Sequence, residues 1–88
     1  MKTYYFTYGW DTRFPFNGGW TRVIAPGLAE AKKAFRAKHP DKIKGIVNCA
    51  FMYSDLEWQT TPMFHTGTNR GVGEHEVIVA KNEEPIKK

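Results

Sequence analysis

The chain holds one cysteine, Cys49, and three histidines, His39, His65 and His75. A single thiol excludes an internal disulfide and any cysteine-based zinc cage. No two histidines have the i, i+4 spacing of a helical zinc site, so no metal is expected. No run of about 18 apolar residues occurs, which excludes a single-span transmembrane helix. The opening Met1-Lys2-Thr3-Tyr4-Tyr5-Phe6-Thr7-Tyr8-Gly9 lacks the uninterrupted apolar core of a secretory leader. A small fold without staples suits a reducing compartment, so the cytoplasm is the expected location. A Walker-type Gly-Lys-Ser/Thr string is missing, as is any other cofactor signature, and no cofactor is expected.

What the chain does have is ring surface. Of its 88 residues, 15% are aromatic and 41% hydrophobic, too much for a disordered tail and enough for one small domain. Residues 3–9 alternate with period two and read as a strand. Residues 10–18 read as a loop, since Pro15 lacks a donor and Asn17-Gly18-Gly19 is turn chemistry. Residues 19–25 read as a second strand, paired antiparallel to the first. Pro26-Gly27 then opens a helix, with Gly27 as N-cap and Glu30 in the first turn. Leu28, Ala31 and Phe35 recur at helical spacing, Lys38 and His39 suit the last turn, and Pro40 stops it.

Residues 43–53 are apolar on both sides from Ile46 onward, which predicts a central strand. Ser54-Asp55-Leu56-Glu57 fits a capping box and predicts a helix of about two turns, ended by Pro62. Residues 62–73 read as a loop and 74–80 as a last strand. The polar tail over 81–88 is expected to fray. The order β-β-α-β-α-β predicts an α+β domain. Its sheet is mostly antiparallel and four-stranded, with one main helix across one face.

Net charge is +4, unevenly spread. Lys32, Lys33, Arg36, Lys38, Lys42 and Lys44 face only Asp41 within one stretch, which therefore carries +5. Such a patch steers anionic partners, or simply keeps a small protein soluble. Trp10, Arg13, Phe14 and Phe16 have the composition of an interface hot spot. The same loop rings would equally serve as a lid on a core short of apolar volume. Trp58 falls on a different helix face from Leu56. Gly67, Asn69, Arg70, Gly71 and Gly73 are candidates for an anion nest, although a flexible connection explains them too. Exposed sheet rings beside Arg22 would suit nucleic acid, but the strand order is not that of an RRM and no RNP1 string occurs.

Catalysis finds little support. Cys49 lies in an apolar run, where a thiol behaves as a small hydrophobe, and Ser54 is accounted for as a cap. A thin sheet with one or two helices leaves little room for a deep pocket. The expectation is a protein that is not an enzyme.

The string Tyr4-Tyr5-Phe6-Thr7-Tyr8-Gly9, then Phe14-Pro15-Phe16, Gly18-Gly19-Trp20-Thr21 and the helix with Glu30-Ala31, Phe35 and Pro40, resembles a group of small proteins from phages and prophages of Firmicutes. Asn48-Cys49-Ala50-Phe51-Met52-Tyr53-Ser54 and Gly71, His75-Glu76-Val77-Ile78 carry the likeness through most of the chain. The resemblance implies a phage accessory protein and transfers no functional residue. Small proteins of this kind often bind a host machine, anti-CRISPR proteins among them.

Three functions follow as expectations. The first is a phage-type, non-enzymatic inhibitor of a bacterial defence nucleoprotein such as a CRISPR-Cas effector. It would bind through Lys32, Lys33, Arg36 and Lys38 or through the ringed loop. The second is direct nucleic-acid binding by the basic helix face and sheet aromatics. The third is a sponge for a small anionic nucleotide signal. No membrane partner is expected, and the open edges of a small sheet would allow a homodimer.

Overall fold

The computed structural model describes residues 1–80. The predicted frayed tail over 81–88 lies outside the described residues. Four strands and three helices follow one another as β1 (Lys2–Thr7), β2 (Trp20–Ala25), α1 (Leu28–Lys38), β3 (Phe51–Ser54), α2 (Asp55–Trp58), α3 (Pro62–Thr66) and β4 (Glu74–Val79). The sheet order is β3-β1-β2-β4, antiparallel except that β4 runs parallel to β2. This is the expected α+β architecture, with a mostly antiparallel sheet and one main helix.

Strand alternation divides the rings between two faces. Tyr4, Phe6 and Tyr8 point to one face with Val23 and Ala25, and α1 covers them through Ala31 and Phe35. Phe35 lies flat on Phe6 at a centroid separation of 4.5 Å. Burying such a ring is worth about 1.5–3 kcal/mol, and the stacked pair adds about 0.5–1.5. Leu28, expected in the buried stripe, sits half exposed at the rim. The helix is capped by Gly27 with no side-chain bond; Lys38 lies in its last turn as expected, joined by Arg36, while His39 is the C-cap just past it.

The opposite face carries Tyr5, Trp20, Phe51 and Tyr53, and a second small core forms there. Trp58 of α2 is only 3% exposed. Its ring stacks on Tyr5 at 4.3 Å and meets Trp20 edge-on at 4.8 Å. The capping box at Ser54 forms as predicted, with Glu57 N–H donating to Ser54 Oγ and Ser54 N–H to the Glu57 carboxylate.

Two local expectations are corrected. The 43–53 stretch is not a central strand: only Phe51–Ser54 pairs, and it forms an edge, with Phe51 58% exposed. Its apolar residues Val47 and Cys49 instead pack on the core from a bent segment. Pro62 does not end a two-turn helix. The α2 helix is a single turn, and Pro62 opens α3 at the position where its missing N–H costs nothing, with Thr61 as N-cap.

Both β2 and β3 run opposite to β1, so α1 must cross one face to link them. Because β4 runs parallel to β2, the link from β3 through α2 and α3 crosses the other face. The loops over 8–19, 39–50 and 67–73 therefore all emerge at one end of the sheet.

Candidate functional site

That end is built around Gly9, the Gly18-Gly19 pair and one asparagine. The β1–β2 ladder continues past the strands through Tyr8 N–H to Gly19 O at 3.2 Å and Gly18 N–H to Gly9 O at 3.2 Å. Gly18 and Gly19 take φ of 68° and 71°, which bends the 10–17 loop back on itself. Asn69 then rivets the third loop in place. Its side-chain amide donates to Tyr8 O and Gly19 O, both at 2.9 Å, and its backbone carbonyl accepts from Gly19 N–H.

The 67–73 candidates do not share one anion-binding role. Gly67 is the left-handed cap of α3. Asn69 and Val72 exchange backbone hydrogen bonds across Arg70 and Gly71, whose φ values are 57° and 78°. This is a two-residue turn of the mirror-image kind, and it engages the N–H groups of Asn69 and Val72 within the fold. Gly73 leads into β4 beside Gly67 O. The Arg70 guanidinium lies 5.3 Å over the ring of Trp10, which is 59% exposed.

The ringed loop splits between the two roles weighed for it. Trp10 is presented to solvent. Phe14 and Phe16 pack on the core, and Phe16 stacks on His75 at 4.1 Å. His75 Nε2–H in turn donates to Gly18 O at 2.9 Å. Arg13 is stapled to Asp11 by its Nε and Nη2, and that hydrogen bonding holds the half-exposed Asp11 carboxyl down to about 2.

The basic stretch is partly neutralised inside the fold. Arg36 pairs with Asp41 at 3.0 Å and Lys38 with Glu76 at 3.0 Å. Lys32 is half buried, while Lys33, Lys42 and Lys44 are exposed. Arg22 lies against Glu74, with Nη2 donating at 3.2 Å and Nε in ion-pair contact at 3.0 Å but too poorly aligned for a hydrogen bond. The sheet rings beside it, Tyr5, Trp20 and Tyr53, are gathered under Trp58 and do not form an open platform.

Sequence reasoning missed a polar network beneath this end. Glu76 points to the α1 face of β4, and its Oε2 accepts from Thr21 Oγ1 at 2.7 Å and from His39 Nε2 at 2.5 Å. Thr21 is also bonded to the buried Tyr8 hydroxyl. The signal was present: alternation along 74–79 sets Glu76 on the same side as Ile78, and a carboxylate facing a core demands cations. Lys38 at the end of α1 is such a cation, and His39 beside it brings a ring nitrogen to the same carboxylate. Burial pushes the Glu76 carboxyl up, but hydrogen bonds from Thr21, His39 and Lys38 outweigh it and hold it below the usual glutamate value. Burial likewise raises the Tyr8 phenol, which stays protonated.

A depressed folded-state pKa contributes stability above the unfolded value and loses it as pH falls through the folded one. Glu76→Gln is therefore expected to lower the melting temperature more at pH 7 than at pH 3. Equal losses at the two pH values would show that the Glu76 charge contributes nothing.

Two further features complete the end. A cleft of about 310 Å³ opens between Phe14 and the 42–49 segment. Cys49 lies at its edge, and burial pushes its thiol up to about 12, which makes it a poor nucleophile at neutral pH. No group of three or more metal-ligating side chains occurs among the described residues, and none of their helices is long and apolar enough to cross a membrane. No family model matches the chain, and no curated protein or solved structure matches it either.

Proposed function

We propose that this is a phage-type, non-enzymatic binding protein of the bacterial cytoplasm that blocks a defence nucleoprotein, such as a CRISPR-Cas effector, through the loop end of its sheet. One observation carries the reading. Arg70 occupies a left-handed backbone position, φ 57°, that glycine or asparagine fills at lower cost. Its guanidinium is laid over the exposed ring of Trp10. Strain at an exposed tip, kept for the sake of a Trp–Arg pair, is the mark of a contact surface, because these two residue types dominate binding hot spots. Lys42 and Lys44 add positive charge to the same end, whereas Arg36 and Lys38 on the helix already have carboxylate partners. The phage setting rests on the resemblance read from the sequence strings alone.

The test is phage plating on bacteria that carry defined defence systems, with and without this protein. Plaque counts should rise by at least about tenfold on one such strain, and Trp10→Ala with Arg70→Glu should abolish the rise. Charge reversal of Lys32, Lys33 and Arg36 should weaken it less. Protection that survives both sets of substitutions would overturn the assignment of the surface, and no change on any strain would overturn the function. Direct nucleic-acid binding makes a different prediction. Affinity for a duplex would fall with log salt at a slope near −0.9 per phosphate contacted.

A further inference from the structure

We infer that the cleft beside Phe14 is an anchor socket for a protein partner, taking one aliphatic side chain flanked by a carboxylate. The inference rests on the binding-protein reading and names what part of the target this chain grips.

The first support is the pairing of walls and charge. Ile43, Ile46 and Val47 form an aliphatic wall opposite Phe14, and the charged residues lining the cleft are Arg13 and Lys42. Among the described residues no acidic side chain lines it, although Asp11 is ion-paired with Arg13. Arg13 is already paired with Asp11, so the net positive charge of the lining comes from the exposed Lys42. An apolar slot lined by one net cation, Lys42, complements an apolar group that carries negative charge.

The second support is preorganisation. Ile43 and Ile46 face each other across an isolated bridge, closed by Ile46 N–H to Ile43 O at 2.9 Å, with Gly45 at φ 81° making the turn. Asn48 ties the segment down by donating to Pro40 O at 3.3 Å. The two isoleucines are thereby held outward, 43% and 57% exposed. A rigid apolar pair that is ready before binding has less ordering entropy to lose on contact.

The chemistry favours protein over nucleic acid. Bases bind by stacking on flat rings, and isoleucine and valine offer none. Phe14 is itself packed against the core. The socket volume is at the small end of the range for ligand sites, which suits one or two side chains.

The experiment is a two-dimensional NMR titration of the labelled protein with the peptide acetyl-Glu-Leu-Asp-Leu-Glu-amide. The controls are the peptide with lysine at each acidic position and an oligothymidylate. The acidic peptide should shift the amides of Ile43, Ile46 and Val47, and Lys42→Glu or Ile46→Asp should weaken it at least about tenfold. Both substitutions are at exposed positions, and circular dichroism checks that the fold persists. Absence of shifts at millimolar peptide, equal binding of the basic peptide, or cleft shifts with the oligothymidylate would each overturn the socket. The plating assay separates the two levels. Protection lost with Trp10→Ala and Arg70→Glu but kept with Ile46→Asp would leave the binding function standing and remove the socket. Cleft shifts without protection on any strain would do the reverse.

Discussion

Trp58→Ala is expected to cost about 3–5 kcal/mol, the usual range for removing a buried tryptophan. The ring is the centre of the second core: it stacks on Tyr5, meets Trp20 edge-on and touches Tyr53. It also fixes α2, a helix of one turn that has no independent stability. Its loss would leave Tyr5 and Trp20, half buried and buried, with an unfilled face. In a domain of this size each kcal/mol shifts the melting temperature by about 4–8 °C, so a fall of at least about 12 °C is expected. Urea unfolding followed by circular dichroism measures the cost, and thermal unfolding the fall in melting temperature. A cost under about 1 kcal/mol would mean that the second face collapses around the gap or contributes little to the fold.

The next largest effect is expected at Gly19. Its φ of 71° is left-handed, and a Cβ there would run into Gly73 O and come within 2.6 Å of His75 Nε2. The left-handed penalty is about 1–2 kcal/mol and overpacking adds about 1–3. Gly19→Ala is thus expected to cost about 2–5 kcal/mol. Gly71→Ala is the matched control. Its φ is 78°, but nothing lies within 4 Å of a Cβ there, so only the backbone penalty of about 1–2 kcal/mol applies. Equal costs at the two positions would show that the close approach of β4 to the 18–19 turn is not rigid. A much larger cost at Gly19 would show that the loop end is locked from beneath. Such locking would hold the Trp10–Arg70 pair in a defined geometry for a partner.

Legibility in the sequence followed the range of the interactions. The helix over Leu28–Lys38 and the capping box at Ser54 were readable because their signals lie within four residues of each other. The first two strands were readable because side chains that alternate over six or seven residues, rings in the first and β-branched residues in the second, admit one period. The 43–53 segment misled because an apolar run has no period of its own. Without one, a strand buried on both sides and a bent segment packed by two of its side chains look alike. The site divided in the same way. Trp10 and Arg70 stand 60 positions apart in the chain, and no local rule joins them. Lys38 and His39 were legible as a helix end, but not as the partners of Glu76. The carboxylate comes from a strand that pairs only after both crossovers are made.

The amino-acid order alone settled the class of the fold, the main helix with its caps, and the absence of any cysteine cage or membrane-length apolar helix. These depend on composition and on neighbours a turn apart, where steric and hydrogen-bonding preferences act without the rest of the chain. Only the tertiary structure decided which rings are covered, which cations are already paired, and which loops share an end. Those outcomes depend on strand order and on the two crossovers, which bring residues from distant parts of the chain within a few ångströms of each other.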